Sequence, residues 1–269
     1  MSKNASFIEL LQASIQLYKK HWVVFCIMGA IAGFSDLMID ERNLFPKSVN
    51  IILTIVSAVI YLILGNVMIV LVSNIKREQS QSLASAWKTF TQKWIDIAYG
   101  YLLYFLFAMG PIVLVMGAAM GIDWISKTYN RPPILPIYVC FLIAGFFSIA
   151  WGLYSLRYQL FNVTILIENA TANESLKRSE KLLVPDGRFY SLNTAKILHA
   201  LVLSFFAGML ILAIPEMVLR FVNMGETLSQ ILGTVLYLMK FGMQFFLFPI
   251  FLIFMTTLYY SLRQEPTVD

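Results

Sequence analysis

The chain of 269 residues is 59% hydrophobic and only 13% charged, with a formal net charge of +5. Ordinary soluble domains carry about 25% charged residues, so the composition excludes that class and predicts an all-α integral membrane protein. The positive charge gathers beside apolar segments, which points to anionic lipid headgroups as partner and away from nucleic acid.

The chain opens on an amphipathic segment. Ser6 and Glu9 have capping-box spacing, and Phe7, Leu11, Ile15 and Tyr18 recur on one face against Glu9, Gln12, Gln16, Lys19 and Lys20. This helix is expected to lie in the inner interface, with Trp22 as the aromatic anchor of a first span over 22–38. Gly29 and Gly33 give that span a small-residue face for close helix contact. No cleavable signal peptide is read here, and the first span is expected to act as its own insertion signal.

After a polar loop with Pro46, an apolar run over 49–74 forms the second span, closed by Lys76 and Arg77. Leu83, Trp87, Phe90 and Trp94 then recur at helical spacing, predicting a second interfacial helix. A third span follows over 97–121, with Pro111 as a kink and Gly117 and Gly121 as another small-residue face. The fourth span, 137–168, has about 32 residues and a helical length of ~48 Å against a ~30 Å hydrocarbon core. It must tilt, kink or protrude.

A third amphipathic helix begins at Thr171, where Thr171 and Glu174 repeat the capping-box spacing. Leu176, Ser179 and Leu183 share one face, Lys177, Glu180 and Lys181 another, and Pro185-Asp186-Gly187 ends the helix. Such a helix is expected to lie on a membrane surface. A fifth span over 195–221 and a sixth over 228–262 complete the chain. Lys3, Lys19, Lys20, Lys76, Arg77, Lys88, Lys93 and the cluster around Lys177 fall on one side, against Arg42, Lys47, Lys127, Arg131 and Arg220 on the other. The positive-inside rule then places both termini in the cytoplasm, with the chain crossing the membrane six times.

Three times the chain reads interfacial helix, span, outer loop, long span, in units of about 5–75, 79–168 and 171–263 within a single membrane domain. The long spans align on Leu64-Gly65-Asn66, Leu160-Phe161-Asn162 and Leu247-Phe248-Pro249. The expected architecture is therefore six transmembrane helices with three interfacial amphipathic helices in a threefold hairpin repeat.

The segment Asn173-Glu174-Ser175-Leu176-Lys177-Arg178-Ser179-Glu180-Lys181-Leu182, preceded by Thr164-Ile165-Leu166-Ile167-Glu168, resembles an element of the bacterial membrane domain fused to some glycerophosphodiester phosphodiesterases. Thr257-Leu258-Tyr259-Tyr260-Ser261-Leu262-Arg263-Gln264-Glu265 resembles that family's closing motif. Ser175 stands where the family usually has Ala, and Ser261 where it has Asp. The resemblance implies a six-span envelope protein; the phosphodiesterase catalytic domain is not in this sequence, and no catalytic residue carries over.

His21 and His199 are the only histidines, and Cys26 and Cys140 both sit in apolar runs where no disulfide is expected. With no nucleophile, paired-carboxylate or metal-ligand motif, neither enzymatic activity nor a cofactor or metal is expected. Lys177, Arg178, Lys181 and Arg188 are the candidate lipid-headgroup contacts. Asn66, Arg157, Asn162, Lys240 and Gln244 are the candidate lining of a polar cavity, Arg157 being either buried or snorkelling to the headgroups. The leading reading is a protein that binds or moves lipids or amphiphiles or scaffolds envelope assembly. A channel or small-solute transporter, or a membrane subunit for a soluble partner, is the alternative, with a homo-oligomer open in each case.

Overall fold

The computed structural model describes residues 5–37, 47–79, 82–108, 110–128, 134–185, 187, 191–208 and 226–263. Most of those residues are helical, with no strand among them. The helices are α1 (Phe7–Lys20), α2 (Trp22–Leu37), α3 (Lys47–Lys76), α4 (Leu83–Ala108), α5 (Gly110–Thr128) and α6 (Ile134–Ser155). A 3₁₀ turn, Leu156–Tyr158, then leads to α7 (Phe161–Glu168), α8 (Ala172–Leu183), α9 (Leu192–Gly208) and α10 (Glu226–Leu262).

Among the described residues, Ser48–Lys76 and Phe245–Leu262 are long and apolar enough to cross a membrane, and Trp22–Phe34 and Leu192–Leu203 are shorter apolar segments. Large apolar side chains remain outside on several helices, among them Ile51, Ile55 and Val59 on α3 and Leu142, Phe146 and Ile149 on α6. Contiguous exposed apolar surface of this kind needs an apolar neighbour.

Three segments differ from the periodicity. The second amphipathic segment runs without interruption into apolar sequence as the single helix α4, since nothing between Lys93 and Tyr99 breaks a helix. The third apolar segment divides instead between α4 and α5, with Pro111 in the first turn of α5, where a missing N–H costs no helical bond. The fourth apolar segment is likewise not one helix, because α6 and α7 are separated at 156–160.

The chain forms two compact units, Met1–Gln92 with Lys196–Asp269, and Lys93–Ala195. Their boundaries fall inside α4 and near the start of α9, and do not follow the repeat units read from the sequence.

In the first unit α10 packs along α2, α1 and α3. Gly29 of α2 lies against the backbone of Phe245 and Gly33 against the ring of Phe241, so the small-residue face of the first apolar segment is used within the chain. Tyr18 stacks on Phe25 at 5.9 Å and Tyr61 meets Phe248 edge-on at 5.1 Å. The hydroxyls of Ser73 and Tyr260 join α3 to α10 at 2.7 Å. Tyr18 also bonds its hydroxyl to Cys26 Sγ at 3.2 Å; burial first, and then this contact, pushes its phenol above the ordinary value. The Cys140 side chain lies outside the described residues.

In the second unit α5 packs on α6, and α7 on α8. Tyr101 and Tyr104 of α4 close around Phe161 at 4.9 and 5.6 Å, an approach opened by Gly100, where a Cβ would meet the Phe161 ring at 2.9 Å. By contrast, a Cβ at Gly117 or Gly121 would meet nothing within 4 Å, so the small-residue face of the third apolar segment is open among the described residues.

Candidate functional site

The polar centre of the second unit forms where α6 stops and α7 starts. Breaking a helix leaves backbone donors and acceptors without intrahelical partners, and burial makes each unpaired group costly. Here α8 supplies them from outside. Ser179 Oγ accepts a hydrogen bond from the Leu160 N–H at 3.0 Å and donates to the Arg157 carbonyl at 2.9 Å. One hydroxyl thus bridges both edges of the break. A turn earlier on α8, the Ser175 carbonyl accepts from Thr164 Oγ1 at 3.3 Å.

The sequence of α8 fits this docking. Ala172, Ser175, Leu176, Ser179 and Leu183 recur at helical spacing and all are buried. The face expected to rest on lipid is therefore packed against α7 and the 3₁₀ turn, and its two serines allow the close approach. The helix is also capped at its start and tied down at its end. The Thr171 N–H and hydroxyl both donate to the Glu174 carboxylate, at 3.0 and 2.8 Å. These bonds, the backbone one first, hold the Glu174 carboxyl below its usual range, and Lys177 adds to the effect. At the other end the Leu183 carbonyl accepts from Ser191 Oγ, and the Leu182 carbonyl from Asn193 Nδ2 at 3.3 Å.

Arg157 sits in the 3₁₀ turn and is buried, only 5% exposed. Its guanidinium lies 3.7 Å over the Tyr154 ring centre, and Nη1 donates to Glu180 Oε1 at 2.7 Å. A stacked, charge-assisted bond of this kind holds the planar guanidinium in one orientation. Glu180 leaves 38% of its side chain exposed, so one partner of the pair is inside and the other reaches the surface. Glu168, at the end of α7, takes Arg178 of α8 at 3.2 Å.

Outside this pair lies an open depression of about 740 Å³, lined by Glu168, Glu174, Lys177, Arg178, Glu180 and Lys181 together with the chain around Asn169 and Val184–Pro185. Three of the candidate headgroup contacts, Lys177, Arg178 and Lys181, are thus brought together on its wall; Arg188 lies outside the described residues. Of the candidate cavity residues, Arg157 and Asn162 belong to this unit. Asn162 accepts from the Val163 N–H at 2.9 Å and donates to Tyr101 Oη at 3.4 Å, a structural role at the first turn of α7. Asn66 belongs to the first unit, where it is fully buried and turns its amide back to the Leu62 carbonyl at 2.7 Å. The side chains of Lys240 and Gln244 lie outside the described residues.

Ser179, Tyr154 and Glu180 build this centre, although the sequence marks Ser179 and Glu180 only as face positions of α8 and does not mark Tyr154. The signal for Ser179 was its place between Leu176 and Leu183 on the less polar face of a strongly charged helix. The sequence leaves Arg157 either buried or snorkelling; it is buried and paired across 23 residues of chain.

Comparison with known proteins finds no family model that matches this chain, and no match among curated proteins or solved structures.

Proposed function

We propose that the chain is a non-enzymatic multi-pass protein of a cell inner membrane, with both termini cytoplasmic, that binds or moves lipids or other amphiphiles or scaffolds envelope assembly. The carrying observation is the placement of Lys177, Arg178 and Lys181. Their helix is held to the protein by its small-residue face and by its C-terminal end, so the cationic face is presented outward over an open depression. Each cation near an anionic surface contributes about 1 kcal/mol to association. The exposed apolar side chains of α3 and α6, and the two described segments long and apolar enough to cross, support a bilayer as surroundings. Six spans with three interfacial stretches, the second continuous with α4, complete the proposed topology.

The threefold repeat belongs to the same proposal. Ser6 and Thr171 open α1 and α8 in the same way, and two turns on each helix buries a serine, Ser14 and Ser179. Glu78 after α3 and Asn169 after α7 both take the left-handed conformation, at φ 55° and 61°. The likeness to the membrane domain of glycerophosphodiester phosphodiesterases remains a reading of its short motifs.

The test is native mass spectrometry of the protein from mild detergent. Retained anionic phospholipid, lost on combined Lys177→Gln, Arg178→Gln and Lys181→Gln substitution, supports the reading; retention unchanged by the triple variant overturns it.

One observation favours a second reading, a small-solute transporter. Interrupted helices in membranes line polar paths, and α6–α7 is interrupted at a buried arginine. Solute flux in liposomes that Arg157→Gln abolishes would favour it.

A further inference from the structure

Resting on the lipid-binding reading, we propose that Arg157 is itself an anion-binding residue, that Glu180 occupies its binding position in this structure, and that a phosphate ester displaces Glu180 from it. The geometry of the pair carries this. Arg157 is buried and its guanidinium is stacked on Tyr154, so its position is set by surroundings other than Glu180. Glu180 is not set in that way. It is the half-exposed member of the pair, and its residue is part of the wall of the open depression while Arg157 lies behind it.

The depression is suited to deliver such a ligand. Lys177 and Lys181 lie one turn apart along the same wall, where an arriving phosphate meets them first. Of the carboxylates there, Glu168 is held by Arg178 and Glu174 by Thr171. Glu180 is the carboxylate whose departure opens the way to a second, buried cation. A phosphate offers an arginine the same acceptor geometry as a carboxylate and carries more charge, so the exchange substitutes one charge-assisted bond for another. Nothing in the exchange requires α8 to leave its place, because Ser179 and the C-terminal end of the helix hold it independently of Glu180. The ligand class is a phosphate mono- or diester, and a phospholipid headgroup is the source that the exposed apolar side chains of α6 in the same unit favour.

The experiment places the full chain in phosphatidylcholine nanodiscs with and without phosphatidic acid and measures phosphatidic acid retained. Glu180→Gln keeps an acceptor of the same shape but removes the competing charge, and should raise retention roughly tenfold, the factor for one charge-assisted bond. Arg157→Lys keeps the charge, loses the planar fork, and should lower retention below that of the parent. Circular dichroism on each variant separates these results from unfolding. Retention that Glu180→Gln leaves unchanged or lowers overturns the proposal. If the triple variant at Lys177, Arg178 and Lys181 lowers retention while Glu180→Gln does not raise it, the role of Arg157 fails and the lipid-binding reading stands. Inorganic phosphate bound by the Glu180→Gln protein in phosphatidylcholine alone, with no gain in phosphatidic acid retained, supports the phosphate site but overturns its assignment to a lipid headgroup in favour of a soluble ester.

Discussion

Gly29 of α2 lies against the carbonyl of Phe245 in α10, and that carbonyl is the one Pro249 leaves without a helical partner. A proline lacks the N–H that would bond four residues back, so its helix carries an exposed acceptor at that point. The two helices meet there because Gly29 has no Cβ, and a Cβ built at that position overlaps the Phe245 oxygen.

Gly29→Ala is therefore expected to destabilise the first unit by about 1–3 kcal/mol, the usual cost of overpacking, since the obstacle is backbone and cannot rotate away. Gly145→Ala, on α6 with nothing within 4 Å of its would-be Cβ, is the control and should be neutral or slightly stabilising. Thermal unfolding in detergent measures both.

Ser179→Ala should loosen the α6–α7 break. It removes the side-chain partner of the Leu160 N–H and one bond to the Arg157 carbonyl, and a buried N–H left unpaired costs about 1–3 kcal/mol. Hydrogen exchange at 156–161 should accelerate in the variant while α3 stays protected. Equal protection in the two proteins would mean that the break is held by something else.

How these features relate to the sequence varies by element. The starts of α1 and α8 are legible because Ser6 with Glu9 and Thr171 with Glu174 encode their caps locally. The use of Gly29 was legible as a small face, but its partner was not, because Phe245 is contributed by a distant helix. The break at 156–160 has no local signature: Leu156-Arg157-Tyr158-Gln159-Leu160 contains neither Gly nor Pro, and the bonds that make the break affordable come from Ser179. Excess length alone signalled that the fourth apolar segment departs from a straight span. The fusion of the second amphipathic segment into α4 was missed because a change from amphipathic to apolar pattern alters which faces are buried without interrupting the backbone bonds. Partner choice was the least legible, since Arg157 and Glu180 meet only once α8 has folded back on the turn.

The first turn of α8 should depend on pH. Because the folded Glu174 carboxyl is held below its ordinary value, its contribution is fully present above the unfolded value and is lost as pH falls through the folded one. Acidification should thus fray the helix at 172–175 first, read as faster amide exchange after correction for the intrinsic pH effect. Glu174→Gln should remove this pH dependence.

Asn66 supplies a prediction of the opposite sign. Its Oδ1 is buried without a hydrogen-bond partner among the described residues, while its amide returns to the Leu62 carbonyl of its own helix. Replacing such a group by an apolar one of similar size relieves an unpaired acceptor, so Asn66→Leu should be neutral or stabilise by about 1 kcal/mol. A large loss of thermal stability would show that Oδ1 is needed by a partner, as a polar cavity would require.

The central claim is that lipid headgroups meet this protein at the cationic face of α8. The most direct measurement is photocrosslinking with a phosphatidic acid analogue that carries its reactive group in the headgroup, followed by mass spectrometric mapping of the adducts. Adducts concentrated on 168–187, and reduced by the triple substitution of Lys177, Arg178 and Lys181, are the predicted result. Adducts spread over the chain with no enrichment in that segment would contradict the account.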